Sequence, residues 1–221
     1  MKVLLFGATG MIGRGVLLEC LREPSVEAVV TWGRAATGMH DSKLHEMLHT
    51  SLLDYSGVEN DLAGLDARFF CLGVASTGMK EADYVRVTYD ITMTAAEALC
   101  CVNPGMRFTL SPARARTPQR KKAQCGRASR DVPRMRSYAC PFRSYMIRPG
   151  FIRPLDGIRS KTPLYRTIYP VLGPILRLLS RAMPDLVLTT RQIGRAMLTV
   201  ANHGCDTGSR RSGYPAWRPR T

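Results

Sequence analysis

Short apolar runs alternate with longer stretches of helical spacing through the first half of the chain. Residues 3–6 are Val-Leu-Leu-Phe followed by glycine, the pattern of a strand buried on both faces. Next, Ile12, Val16, Leu17, Cys20 and Leu21 share one face of a helix over about 11–22, which Pro24 closes. Residues 28–32 predict a second strand and residues 67–72 another. Over about 82–102, Tyr84, Val87, Ile91, Ala95, Leu99 and Val102 recur at three or four residues, and Asn103-Pro104-Gly105 stops that helix. Further strands are predicted at 107–110 and 144–147. Residues 164–183 form an apolar, helix-rich stretch broken by prolines, and Thr190 can cap a last helix through Ala201 with Ile193, Ala196, Met197 and Val200 on its face. Strands alternating with helices require βαβ crossovers. The predicted class is α/β: a doubly wound parallel sheet covered on both faces. No internal repeat is present.

The chemistry is carried by Gly7-Ala8-Thr9-Gly10-Met11-Ile12-Gly13, between the first strand and the first helix. Glycines there let the chain turn tightly, let a pyrophosphate approach the backbone and let helix pack on strand. The free N–H groups and the positive helix end then face the phosphates. The spacing is G-x-x-G-x-x-G, not G-x-G-x-x-G, and the context is that of a dinucleotide site.

Spacing and surroundings resemble the short-chain dehydrogenase/reductase superfamily, closest to its atypical NAD(P)H-binding branch related to the nucleoside-diphosphate-sugar epimerase-like proteins. The resemblance covers about residues 1–109 and 141–203. It implies a single Rossmann domain over 1–203, with a small helical C-terminal substrate lobe at about 151–189. In that family Asp54 matches the acid that contacts adenine. Leu72, Gly73 and Val74 match the turn beneath the cofactor, and Pro149 and Gly150 the turn near the nicotinamide. With Gly7, Thr9, Gly10, Met11, Ile12 and Gly13 they make up the expected cofactor set. An acid at the end of strand two would bind the ribose hydroxyls of NAD, whereas this chain has Thr31-Trp32-Gly33-Arg34. A guanidinium suits a 2′-phosphate, so Arg34 favours NADP(H) over NAD(H).

The resemblance implies an oxidoreductase or epimerase acting on a small organic or nucleotide-sugar substrate. The alternative is a non-catalytic NADP(H)-binding sensor or interaction protein. Catalysis in the family uses a Ser or Thr near the end of strand five, matched by Ser111, and a Tyr-x-x-x-Lys on the following helix. The chain contains no Tyr-x-x-x-Lys. Where that helix belongs, residues 111–140 hold three prolines, nine Lys/Arg and one acid, Asp131, without apolar periodicity. This basic, insert-like stretch and residues 204–221, basic from 208 on, are expected to be irregular. The sheet face around Phe70, Leu72, Phe108 and Leu110 is expected to be partly uncovered. A change of reading frame is one account: with permissible codons, the other frame across 111–140 encodes a strand end with Ser, a Gly-rich turn and an amphipathic helix.

The net charge of +15 comes mostly from those two stretches, so it says little about the main fold. The basic run lacks interleaved aromatics, which excludes specific nucleic-acid recognition and leaves weak polyanion binding. Seven cysteines without a C-x-x-C favour neither a metal site nor a disulfide framework. The opening apolar run is too short for a signal peptide, and residues 167–176 are too short to span a bilayer, although Leu164–Met183 could lie weakly on a membrane surface. A cytoplasmic protein is expected. His45-Glu46-Met47-Leu48-His49 is a literal H-E-x-x-H. On a helix at about 41–49 it would put two imidazoles on one face, but the short segment inside a dinucleotide-binding unit favours plain surface histidines and no metal.

Overall fold

The computed structural model describes residues 1–58, 61–72, 90–103, 105–110, 144–147, 151–158 and 187–204. Strand β1 (Lys2–Phe6) leads into helix α1 (Met11–Arg22), then β2 (Ala28–Gly33), β3 (Leu44–Leu48) and β4 (Ala67–Phe70). Helix α2 (Ile91–Val102), β5 (Arg107–Leu110), β6 (Ser144–Met146), β7 (Phe151–Arg153), β8 (Val187–Thr189) and α3 (Thr190–His203) follow. Strands one to six form one parallel sheet in the order β3-β2-β1-β4-β5-β6, while β7 and β8 pair separately, also parallel. The order reverses beside β1, so the crevice for a ligand opens at the carboxyl ends of β1 and β4.

Successive strand residues point to opposite faces, which explains the uninterrupted apolar runs of the central strands. Val3, Leu5, Val29, Ala67 and Phe69 pack with Ile12, Val16, Leu17 and Cys20 of α1 and Ile193 and Met197 of α3. Leu4, Phe6, Trp32, Phe70 and Phe108 pack on the other face with Ile91, Ala95 and Leu99 of α2. The expectation that this second face is left open does not hold at Phe70 and Phe108, which are 3% and 0% exposed. Helix α2, joining β4 to β5, covers them. Residues 82–89, 111–143, 159–186 and 205–221 lie outside the described residues, and with them much of the long helix, the basic segment, the apolar stretch and the tail.

Helices α1 and α3 touch through small residues. A Cβ on Gly15 would lie 2.5 Å from Thr190 Cβ, and one on Gly194 would lie 2.9 Å from Glu19 Cγ. Beside that contact Glu19, 5% exposed, accepts from Arg22 at 2.8 Å and Arg195 at 3.0 Å and lies 3.5 Å from Arg191. Asp156 ties Arg191 in from β7's side at 3.1 Å. Helix α3 begins one residue earlier than expected for its cap. Thr189, not Thr190, accepts from Gln192 N at 3.1 Å while Gln192 Oε1 accepts from Thr189 N at 2.8 Å, a capping box that frees Thr190 to be buried against Gly15.

Among the buried strand residues described, one carries a charged side chain. Arg68 of β4 is fully buried on the α2 face, its guanidinium 3.6 Å from the Phe108 ring centroid and donating from Nη1 to the Ala95 carbonyl. Its Nε and Nη2 find no hydrogen-bond partner among the described residues, and burial holds its pKa well below the ordinary arginine value.

Candidate functional site

β1 ends at Phe6, and Gly7 turns the chain at φ +76°, a conformation that strains any residue with a Cβ. A Cβ there would also lie 2.8 Å from the Cys71 carbonyl and 2.9 Å from Leu72 N, so the turn is seated on the end of β4. Gly10 N donates to Gly7 O at 2.9 Å, and Gly10 then serves as N-cap of α1, with no side-chain cap and no acid in the first turn. At Gly13 a Cβ would lie 2.0 Å from Gly7 O, so the loop can close onto the helix only over a glycine. Helix geometry leaves the first-turn N–H groups of α1 without intrahelical acceptors, and the dipole makes that end positive. A bare, glycine-lined helix end at the switch point of the sheet fits the diphosphate of a dinucleotide. Thr9 and Met11 are half-buried at this loop, and Ile12 points into the core.

Arg34 is exposed one residue past β2. Sequence reasoning missed its neighbour Arg14. From the first turn of α1, Arg14 Nη1 donates to the Thr37 carbonyl at 3.2 Å, so both guanidinium-bearing residues belong to the corner where β2 leaves the sheet. A signal was available. A base in a helix's first turn opposes the dipole by about 0.3–1 kcal/mol, which an anion at that end would reverse. Beneath the corner, Trp32 is fully buried, with the His49 ring parallel at 4.0 Å and the Tyr55 ring at 4.9 Å.

Asp54 follows β3 at the same carboxyl end of the sheet. Its Oδ1 accepts from Ser56 N at 3.1 Å, and the Ser56 backbone and side chain, with His49 nearby, hold the carboxyl below its ordinary value. Leu72 is half-buried against the α2-side core, its N–H beside Gly7. Gly73, Val74, Ser111, Pro149 and Gly150 lie outside the described residues.

The H-E-x-x-H segment is a strand, which corrects the helix expected at 41–49. Residues 44–48 pair in parallel with β2. Neighbouring strand residues face opposite ways and four residues span about 13 Å, so His45 and His49 cannot share an ion as they would on a helix, and Glu46 faces away from both. No group of three or more metal-ligating side chains occurs among the described residues. Nor is any described helix long and apolar enough to cross a membrane.

Sheet order, glycine turn and open helix end define a doubly wound α/β fold, the fold of solved short-chain dehydrogenase/reductase and sugar-nucleotide epimerase structures. No family model and no curated protein sequence matches it. Among solved structures it is similar to a short-chain dehydrogenase/reductase oxidoreductase from Burkholderia thailandensis, at 17% identity and TM-score 0.65 over 91% of this chain and 85% of that one. A short-chain dehydrogenase from Burkholderia cenocepacia in complex with NADP is similar at 15% identity and TM-score 0.64, over 93% and 85% of the two chains. A UDP-N-acetylglucosamine 4-epimerase from Methanobrevibacter ruminantium, in complex with UDP-N-acetylmuramic acid, is similar at 13% identity and TM-score 0.65, over 90% and 72%.

Proposed function

We propose that this chain is an NADP(H)-binding protein of the oxidoreductase/epimerase type, built for a small organic or nucleotide-sugar substrate. The carrying observation is the bare N-terminus of α1 flanked by Arg14 and Arg34, with no carboxylate at the end of β2. The turn built on Gly7, Gly10 and Gly13 would let the diphosphate approach the free first-turn N–H groups of α1, and Arg34 with Arg14 would take the 2′-phosphate. Asp54 would face the adenine, and Leu72, Gly73, Val74, Pro149 and Gly150 would line the remainder. The bound nicotinamide supplies a hydride donor or acceptor. Ser111 is the one residue matched to the family's catalytic set, and Tyr-x-x-x-Lys is absent. Acid–base assistance of that kind is worth about 10²–10⁴ in rate, so turnover should be faint even where the cofactor binds.

Titration with NADPH and NADH tests the reading. NADPH should bind more tightly, and Arg34→Ala should remove most of the difference, about 1.5–3 kcal/mol for a charge-assisted phosphate contact. Equal affinities in the native chain would sink the phosphate assignment. A hydride-transfer assay with NADPH over a carbonyl panel, run beside the titration, separates an active enzyme from a protein that only binds cofactor.

A further inference from the structure

Glu46 is the glutamate of the H-E-x-x-H segment, and strand geometry frees it from any zinc role. On β3 it shares a face with Leu44, the face that packs toward α1 and α3. Its Oε1 accepts the Thr37 backbone N–H at 2.7 Å, while Arg14 donates to the Thr37 carbonyl at 3.2 Å. Thr37, 6% exposed, is thus gripped at both ends of one residue by two charged side chains. It lies three residues after Arg34, in a connection from β2 to β3 that contains no helix.

On the far side of Thr37, Met39 packs partly buried against the α1-side core and its N–H donates to Thr37 Oγ1 at 3.2 Å. Gly38 has no atom within 4 Å of the position its Cβ would take, and beyond it an open depression of about 630 Å³ is lined by Met39, His40, Asp41, Ser42, Leu44 and Glu46. Residues 34–36 are exposed. A flexible arginine on a loose loop pays its ordering entropy whenever it meets a phosphate, and an anchor three residues away reduces that cost.

We propose that Glu46 is a positioning residue for cofactor selection: through Thr37 it holds the loop that carries Arg34 and fixes Arg14 against it. This rests on the NADP(H) reading above. Two opposed effects can be separated. A carboxylate close to the corner repels a phosphate, so removing its charge alone should favour NADPH slightly. Removing the acceptor should release the loop and disfavour NADPH.

Calorimetric titration of the native chain, Glu46→Gln, Glu46→Ala and Arg34→Ala with NADPH and with NADH reads the affinity ratio of the two cofactors. Glu46→Gln keeps an acceptor oxygen and should hold the ratio at or slightly above its native value. Glu46→Ala should lower the ratio about tenfold, the size of one charged hydrogen bond, with NADH affinity near native and a melting temperature lowered by only about 2–4 °C, since the buried Thr37 N–H loses its acceptor while Glu46 itself is exposed. An unchanged ratio in Glu46→Ala, or a rise in both Glu46 variants, overturns the positioning role while a ratio abolished by Arg34→Ala leaves the NADP(H) reading standing. A native ratio of one, or a ratio that survives Arg34→Ala, overturns that reading and this inference with it.

Discussion

Replacing Gly13 by alanine sets two effects against each other. In a helix interior alanine is favoured over glycine by about 1 kcal/mol, and less at the first turn where Gly13 stands. Against this, the new Cβ would lie 2.0 Å from Gly7 O and 2.6 Å from Gly7 C. Carbon and oxygen ordinarily stay beyond about 3.3 Å, so one of the two backbones must move by more than about 1 Å. The obstructing atoms are backbone, and Gly7 is itself seated against Cys71 and Leu72 with no room to retreat. Overpacking of this kind costs about 1–3 kcal/mol, so the net loss should be about 1–2 kcal/mol. For a chain of this size that lowers Tm by about 2–8 °C. The displaced loop also misaligns the first-turn N–H groups, so NADPH and NADH should weaken together, unlike the selective loss at Arg34. Urea melts with and without NADPH measure both effects. Gly10→Ala is the stability control, since its Cβ would meet only Gly7 O at 3.2 Å. A Gly13→Ala protein that melts at or above the native midpoint and binds both cofactors normally would refute the steric reasoning.

Arg68→Met removes a buried charge whose Nε and Nη2 are unpaired while keeping most of the volume, so stability should be unchanged or rise by about 1–4 kcal/mol. A loss above about 2 kcal/mol in urea melts would show that the guanidinium is better satisfied than its geometry indicates. Glu19→Ala should cost about 1–3 kcal/mol by unlatching α1 from α3, moderated because Arg191 and Arg195, 39% and 66% exposed, can turn to water. A change within about 0.5 kcal/mol would reduce the cluster to a surface ornament of the two helices. Burial pushes the Cys71 thiol from 9.0 up to about 12 and raises Cys20 as well, so iodoacetamide at pH 8 should leave both unlabelled in the native chain and label both in urea. Since the folded value is the higher one, the Cys71 contribution is complete below pH 9 and is lost as pH rises toward 12. Labelling of Cys71 at native rates matching the urea sample would contradict its burial.

The chain's local pattern determined the strand–helix alternation, the glycine turn and the faces of α1, α2 and α3. Those features depend only on how a side chain points relative to its own backbone, a period of about 2 or 3.6 residues that any window of sequence displays. Tertiary pairing decided what the pattern left ambiguous. His45 and His49 have the helical spacing of a zinc pair, yet pairing of 44–48 with β2 makes the segment a strand, because ladder hydrogen bonds to a distant neighbour outweigh a weak local preference. Arg68 sits inside an otherwise apolar run, and only the placement of α2 and Phe108 around it makes it a buried charge. Phe70 and Phe108 pack against Ile91, Ala95 and Leu99 of α2, a cover that no reading of the 111–140 segment alone could reveal. Arg14, Thr37 and Glu46 stand on a helix, a loop and a strand and share no sequence period. They meet because β2 and β3 pair and α1 packs across the same sheet, and side-chain convergence is set by those nonlocal contacts and by no repeat along the chain.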